Sequence, residues 1–198
     1  LGLQAQFSSP LNSDQNSTRL VYGFDSYIDN VDSFSSKNII QGPVADDASY
    51  QWHGAYLQAK VSPFESLGQS LTMDIGIRAN YMKLNADSVQ DPLTGAKIGL
   101  DDDWFAVVGN VRFNYRLANQ VQSVFVGLSQ GFRAPNLSDM TRFDSARSNE
   151  FEVPATGLDP EHYLTLDMGS KYRSGNSRFT ASAYYTKINQ QIQRLPTG

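Results

Sequence analysis

The chain of 198 residues sets 16 Lys and Arg against 20 Asp and Glu, and it is 12% aromatic with 15 Gly, no Cys and a mean hydropathy of −0.41. The missing thiols exclude disulfides and thiolate metal sites, and scattered basic residues at a net charge of −4 offer no stripe for neutralising phosphates, so nucleic acid is not an expected partner. No run of eighteen apolar residues occurs, which excludes a membrane-spanning helix and leaves a membrane-spanning β-barrel open.

Alternation with period two dominates the pattern and predicts eight strands, at about 3–9, 19–29, 50–61, 71–81, 105–117, 121–131, 162–173 and 177–188. In 19–29, Leu20, Tyr22, Phe24 and Ile28 oppose Arg19, Asp25 and Asp29. The stretch 50–61 leaves its faces open, because Trp52 and Tyr56 fall on one side and Leu57, Ala59 and Val61 on the other. The clearest case is 71–81, where Leu71, Met73, Ile75, Ile77, Ala79 and Tyr81 alternate with Thr72, Asp74, Gly76, Arg78 and Asn80. In 105–117, Phe105, Val107, Val111, Phe113, Tyr115 and Leu117 share a face against Asn110, Arg112, Asn114 and Arg116. Among the weaker segments, 164–172 sets Leu164, Leu166, Met168 and Tyr172 against Thr165, Asp167 and Lys171.

The connections alternate in length: 10–17 short, 32–49 long, 62–70 short, 85–103 long, 118–120 short, 133–161 long and 174–176 short. Tight turns at one end and extended loops at the other are the habit of an outer-membrane barrel, whose extracellular loops are the long ones. The loops 32–49, 85–103 and 133–161 are therefore expected outside the cell. Several patterned stretches reach about ten residues, the length a tilted strand needs to cross a bilayer. Tyr81, Phe105 and Tyr115 stand at strand ends, where an interfacial aromatic girdle belongs. The expected fold is all-β: residues 1–198 as part of one β-barrel domain, an antiparallel up-and-down transmembrane β-barrel segment with about eight strands of a larger barrel. A soluble antiparallel sandwich with an aromatic core is the alternative.

Gly131-Phe132-Arg133-Ala134-Pro135-Asn136-Leu137-Ser138, then Gly157-Leu158-Asp159-Pro160-Glu161, then Asp167-Met168-Gly169-Ser170-Lys171-Tyr172, strongly resembles the later barrel strands of TonB-dependent outer-membrane receptors. There a strand ends in a Phe-Arg-Ala-Pro box, an extracellular loop follows, and a Pro-Glu pair opens the next strand. The resemblance extends through Ala183-Tyr184-Tyr185-Thr186 and, upstream, to Leu20-Val21-Tyr22-Gly23-Phe24-Asp25 and Gly76-Ile77-Arg78. It implies a bacterial outer-membrane location with lipid around the wall, and a barrel of about 22 strands around a plugged lumen. It also implies a small nutrient ligand and coupling to the TonB complex through a plug region that this stretch lacks.

Within that resemblance Phe132, Arg133, Ala134, Pro135, Pro160 and Glu161 are structural, with Arg133 and Glu161 placed to pair across the loop base. Arg142, Arg147 and Trp104 are the candidate ligand contacts on the outer loops, although Asp139, Asp144, Glu150 and Glu152 offset the arginines. The expected cargo is a scarce nutrient such as a ferric siderophore or cobalamin. Heme receptors of this family add a heme-facing His and an Asn-Pro-Asn-Leu box; no His lies between Pro135 and Glu161, and the second box reads Thr156-Gly157-Leu158. A passive porin or adhesin barrel is the rival reading.

No enzyme, cofactor or metal site is expected. Gly127-Leu128-Ser129-Gln130-Gly131 fits the nucleophile-elbow pattern, which works only at a strand-to-helix turn beside a base, and nothing places His53 or His162 near Ser129. Asp101-Asp102-Asp103 lacks the spaced ligands of a calcium loop and reads as a solvated acidic segment. Asn16-Ser17-Thr18 matches a glycosylation acceptor that carries no weight in a bacterial protein.

Overall fold

The computed structural model describes residues 1–11, 18–66, 69–118, 121–145 and 151–195. Eight strands form one antiparallel up-and-down sheet: β1 (Gly2–Pro10), β2 (Arg19–Val31), β3 (Asp46–Ser66), β4 (Gln69–Gln90), β5 (Lys97–Arg116), β6 (Gln122–Arg133), β9 (Glu161–Ser174) and β10 (Ser177–Asn189). Between β6 and β9 lie a short helix, α1 (Leu137–Thr141), and a two-residue ladder of β7 (Asp144–Ser145) with β8 (Phe151–Glu152). Each main-sheet strand pairs with its neighbours in chain order, and β1 and β10 are the sheet's two edges.

The register assigns every face. Tyr81 pairs with His53 and Phe105, Ile77 with Leu57 and Gly109, and Met73 with Val61 and Phe113, so the odd side of β4 continues across β3 and β5 as one apolar face. This settles the open stretch 50–61: Leu57, Ala59 and Val61 join the apolar outer face, while Trp52 and Tyr56 join the polar inner one. Leu71 to Tyr81 spans eleven residues, which at about 3.4 Å per residue and a tilt of about 40° makes a band roughly 25 Å tall.

The outer-loop boundaries need correction. Strands continue through 46–49, 85–90 and 97–103, leaving connections of 32–45, 91–96 and 134–160. The loop expected at 85–103 is instead a hairpin that runs about nine residues past Tyr81 and turns at 91–96. The reason is an inversion of the apolar phase. Below Tyr81 the odd residues of β4 are apolar; above it the even residues Met82, Leu84 and Ala86 are apolar and buried, and a bulge between Ala86 and Val89 turns Val89 inward as well. The alternation of connection lengths persists with a narrower margin, the 91–96 turn exceeding the following 117–121 connection by one residue.

Those inverted positions build the hydrophobic cluster. Ala45, Ala48, Leu84, Ala86, Val89 and Met140 are buried together, with Val31, Tyr50, Ile98, Leu100, Trp104, Leu137 and Leu158 packed around them. Leu137, Met140 and Leu158 come from the 134–160 connection, so that segment folds onto the inner face of the projecting β3–β5 strands. The β5–β6 ladder stops at Asn110–Ser129, and Gln130 Oε1 accepts from Gly109 N at 3.1 Å where the two strands diverge.

Candidate functional site

The strand ends beyond Tyr81 and the connections above them pack into one body, and its geometry follows from satisfying buried polar groups. Gln41 is 1% exposed and Thr141 fully buried. Gln41 Nε2 donates to the Thr141 carbonyl at 2.8 Å, and Gln90 N donates to Gln41 Oε1 at 2.7 Å. Ala45 N donates to Thr141 Oγ1 at 3.0 Å, and Phe143 N to the Pro43 carbonyl at 3.0 Å. One glutamine thus ties the 32–45 connection, the β4–β5 hairpin and the end of α1 into a single body, since an unpaired amide there would cost about 1–3 kcal/mol.

α1 has only five residues, too few to hold itself, and it is fixed at both ends. Asn136 caps it by accepting from Asp139 N, and the Asp139 side chain accepts from Asn136 N in return, a reciprocal capping box. Asp139 also meets Arg133, whose other nitrogen lies 3.3 Å from Glu161 Oε2, so the box residue joins the last ladder pair of β6–β9 to the helix start. Ala134 and Pro135 are buried beside it, where Pro135 cannot extend the ladder.

Glu161, 4% exposed, accepts from the Tyr163 hydroxyl and, at 2.8 Å, from Ile192 N. The Tyr163 hydroxyl first, and then the Ile192 amide and Arg133, hold its carboxyl below the usual range despite burial. Phe132 and His162 point to the opposite, apolar face, with rings 5.5 Å apart. Pro160 is half-buried just before Glu161.

Of the candidate ligand contacts, Arg142 stands with Nε 2.7 Å from Glu152 Oε2 and Nη2 3.8 Å from Asp144, while Arg194 takes the other Glu152 oxygen at 2.7 Å. Its charge is matched within the loop. Trp104 packs partly buried against the hydrophobic cluster. Arg147 lies outside the described residues. Asp101 pairs with Lys83 at 3.0 Å, and that hydrogen bond raises the Lys83 ammonium above its ordinary value. Ser129 sits in mid-strand opposite Asn110 and Thr165, not at the strand-to-helix turn a nucleophile elbow needs.

Below this packed end the polar inner face carries charges that reach across neighbouring strands. Arg78 of β4 reaches across β3 to Asp25 of β2 at 2.7 Å and donates to Asn80 at 2.7 Å, with its guanidinium 5.9 Å from the Trp52 ring centre and 5.8 Å from that of Tyr56. Gly54 makes this path: a Cβ there would stand 2.0 Å from Arg78 Nη2. Arg112 of β5 crosses β6 to Asp167 of β9 in the same manner, over Gly127, where a Cβ would lie 2.5 Å from Asp167 Oδ1. These three-strand bridges, Gln41, Thr141 and Met140 escaped the sequence reading. The phase inversion at Met82, Leu84 and Ala86 was the available signal for the cluster; the bridges needed the register.

All 198 residues match the family model described as TonB dependent receptor-like, beta-barrel. Two solved structures share the fold. One is a double mutant of the Serratia marcescens hemophore receptor HasR in complex with its hemophore HasA and heme, at 18% identity and a TM-score of 0.74, covering 94% of this chain and 32% of that one. The other is the copper transporter OprC, at 18% identity and a TM-score of 0.66, covering 94% of this chain and 30% of that one. No curated protein matches the sequence. The chain spans about a third of the length of these structures. With the whole sequence matched and the meander, its register and its open eight-stranded sheet in agreement, the chain belongs to the TonB-dependent receptor family and is β-barrel sequence of that family.

Proposed function

We propose that this stretch is the wall and part of the outer vestibule of an energy-coupled importer in the bacterial outer membrane, which captures a scarce nutrient such as a ferric siderophore or cobalamin. The family match over the whole chain carries the reading. The open sheet supports it: with β1 and β10 as free edges, eight strands make an arc of a wider barrel, and a barrel of that size leaves a lumen that a plug must fill. The 134–160 connection, fixed on the inner face by α1, narrows the outer mouth. Lipid surrounds the apolar outer face, the nutrient enters through the vestibule, and the TonB complex acts through the plug region.

The test is growth of a strain lacking the receptor gene on single iron, cobalamin or glycan sources, with uptake measured before and after collapse of the proton-motive force. A defect confined to one source, with uptake abolished by de-energisation, is expected. Uptake that persists without energy would make the barrel a passive pore.

A further inference from the structure

The chain does not leave the sheet freely after β10. The last ladder pair is Asn189 with His162, and the next residue, Gln190, stands at φ 56°, one of two non-glycine residues with positive φ among the described residues. That left-handed region is disfavoured for any residue with a side chain, and only Asn and Asp visit it readily beside Gly. From Gln190 the chain runs along the 134–160 connection, and every second residue donates to it or to the first residue of β9. Gln190 Nε2 donates to Asp159 Oδ2 at 3.2 Å, Ile192 N to Glu161 Oε1 at 2.8 Å, and Arg194 Nη1 to Glu152 Oε1 at 2.7 Å. The residues between them are exposed and bond each other, Gln193 Nε2 donating to Gln191 Oε1 at 2.9 Å.

All three acceptors are carboxylates, and two of them are anchored from behind. Glu161 is held by the Tyr163 hydroxyl and Arg133, and Glu152 turns its other oxygen to Arg142 Nε at 2.7 Å. A disfavoured backbone conformation persists where its surroundings over-determine it, and three donors spaced two residues apart do so for Gln190. The arrangement can also let go. Ile192 is half-buried while Gln190, Gln191, Gln193 and Arg194 are exposed, and an exposed ion pair or hydrogen bond is weak by itself. Release therefore breaks a few weak contacts and relaxes the backbone at Gln190. Both sides of the contact lie within the described residues, so it closes without help from a plug or from further strands.

We propose that Gln190–Arg194 is a releasable strap, hinged at Gln190, which fastens the chain leaving β10 to the 134–160 connection through Asp159, Glu161 and Glu152. Resting on the importer reading above, the two segments border the outer mouth as one body while the strap is fastened and as two once it is released.

The test uses the receptor from its full open reading frame in detergent, with nitroxide labels at Gln193→Cys and Leu93→Cys and with any cysteines outside this stretch replaced. Double electron–electron resonance then measures the distance between the labels. One narrow distance is expected for the receptor otherwise unaltered. Gln190→Ile/Arg194→Ala puts a β-branched residue at the hinge and removes one donor, so the ratio of released to fastened molecules should rise about tenfold or more, seen as a second, broader population. Gln190→Asn/Gln191→Ala keeps a hinge residue that tolerates the left-handed region, together with the Ile192 and Arg194 donors, and should leave the distribution as it was.

A broad distribution before any hinge change, an unchanged one in Gln190→Ile/Arg194→Ala, or an equal change in Gln190→Asn/Gln191→Ala overturns the proposal. Because the distances are measured without uptake, they separate the two readings. Failure of the strap in a receptor with energy-coupled uptake refutes only the strap; a strap that releases as expected in a barrel whose uptake survives de-energisation refutes only the importer.

Discussion

Met140→Ala tests whether the 134–160 connection is held by the inverted apolar face of the projecting hairpins. Met140 is fully buried among Ala45, Ala48, Leu84, Ala86 and Val89. Truncating a buried Met to Ala costs about 2–5 kcal/mol, of which the lower part is the better guide where a short segment can settle into the space. The helix cap contributes only about 1 kcal/mol, and a five-residue helix adds almost nothing by itself. A loss of about 2–3 kcal/mol should therefore open the docked segment about 30- to 140-fold more often. Hydrogen exchange of the full receptor in detergent reads this directly: amide protection over Leu137–Thr141 should fall by that factor, while β4 and β5 below Tyr81 keep theirs. Met73→Ala, on the apolar outer face, should leave the helix untouched. Unchanged protection at 137–141, or an equal fall throughout the sheet, would refute the reasoning.

Gly54→Ala must move Arg78, since the new Cβ would stand 2.0 Å from its Nη2, so the Arg78–Asp25 bridge should break at about 1–3 kcal/mol, measured as a lower unfolding temperature. Gly99→Ala, whose nearest neighbour would be 3.7 Å away, should be silent in the same assay. Ile77→Lys, in the centre of the apolar band, should cost about 2–4 kcal/mol in a lipid-embedded receptor, measured by denaturant unfolding in vesicles. Glu161 has a depressed carboxyl pKa, so its contribution is complete above the unfolded value of about 4.3 and is lost only as pH falls through the lower folded value. Proteolysis at Arg194, beyond the Ile192 amide that Glu161 accepts from, should stay slow through mild acid and accelerate below the ordinary carboxylate range. Glu161→Gln should be cleaved quickly at every pH.

The strands were legible where one face meets an apolar surround and the other a polar one, as in 71–81, because period two then has a single phase. Beyond Tyr81 the phase reverses at Met82, Leu84 and Ala86, and a reading anchored to the lower phase ends the strand at Tyr81 and opens a loop at Asn85. The inner side of 50–61 was illegible for a related reason: Trp52 and Tyr56 are aromatic yet face inward, where they flank Arg78. The Arg133–Glu161 contact was foreseeable from the box and the Pro-Glu pair, whereas Asp139, the capping acid that joins them, lies six residues away inside the connection. Gln41 reaches Thr141 across a hundred residues, and no local pattern encodes that meeting.

The central claim, a wall crossing the outer membrane with its long connections outside, is tested most directly by single cysteines in this cysteine-free stretch. Ile39→Cys and Leu93→Cys place thiols at fully exposed outer positions, and Asn176→Cys places one in the β9–β10 turn. A membrane-impermeant maleimide added to intact cells should label the first two at once and the third only after the outer membrane is permeabilised. Labelling of Asn176→Cys in intact cells, with protection of Ile39→Cys and Leu93→Cys, would contradict the account.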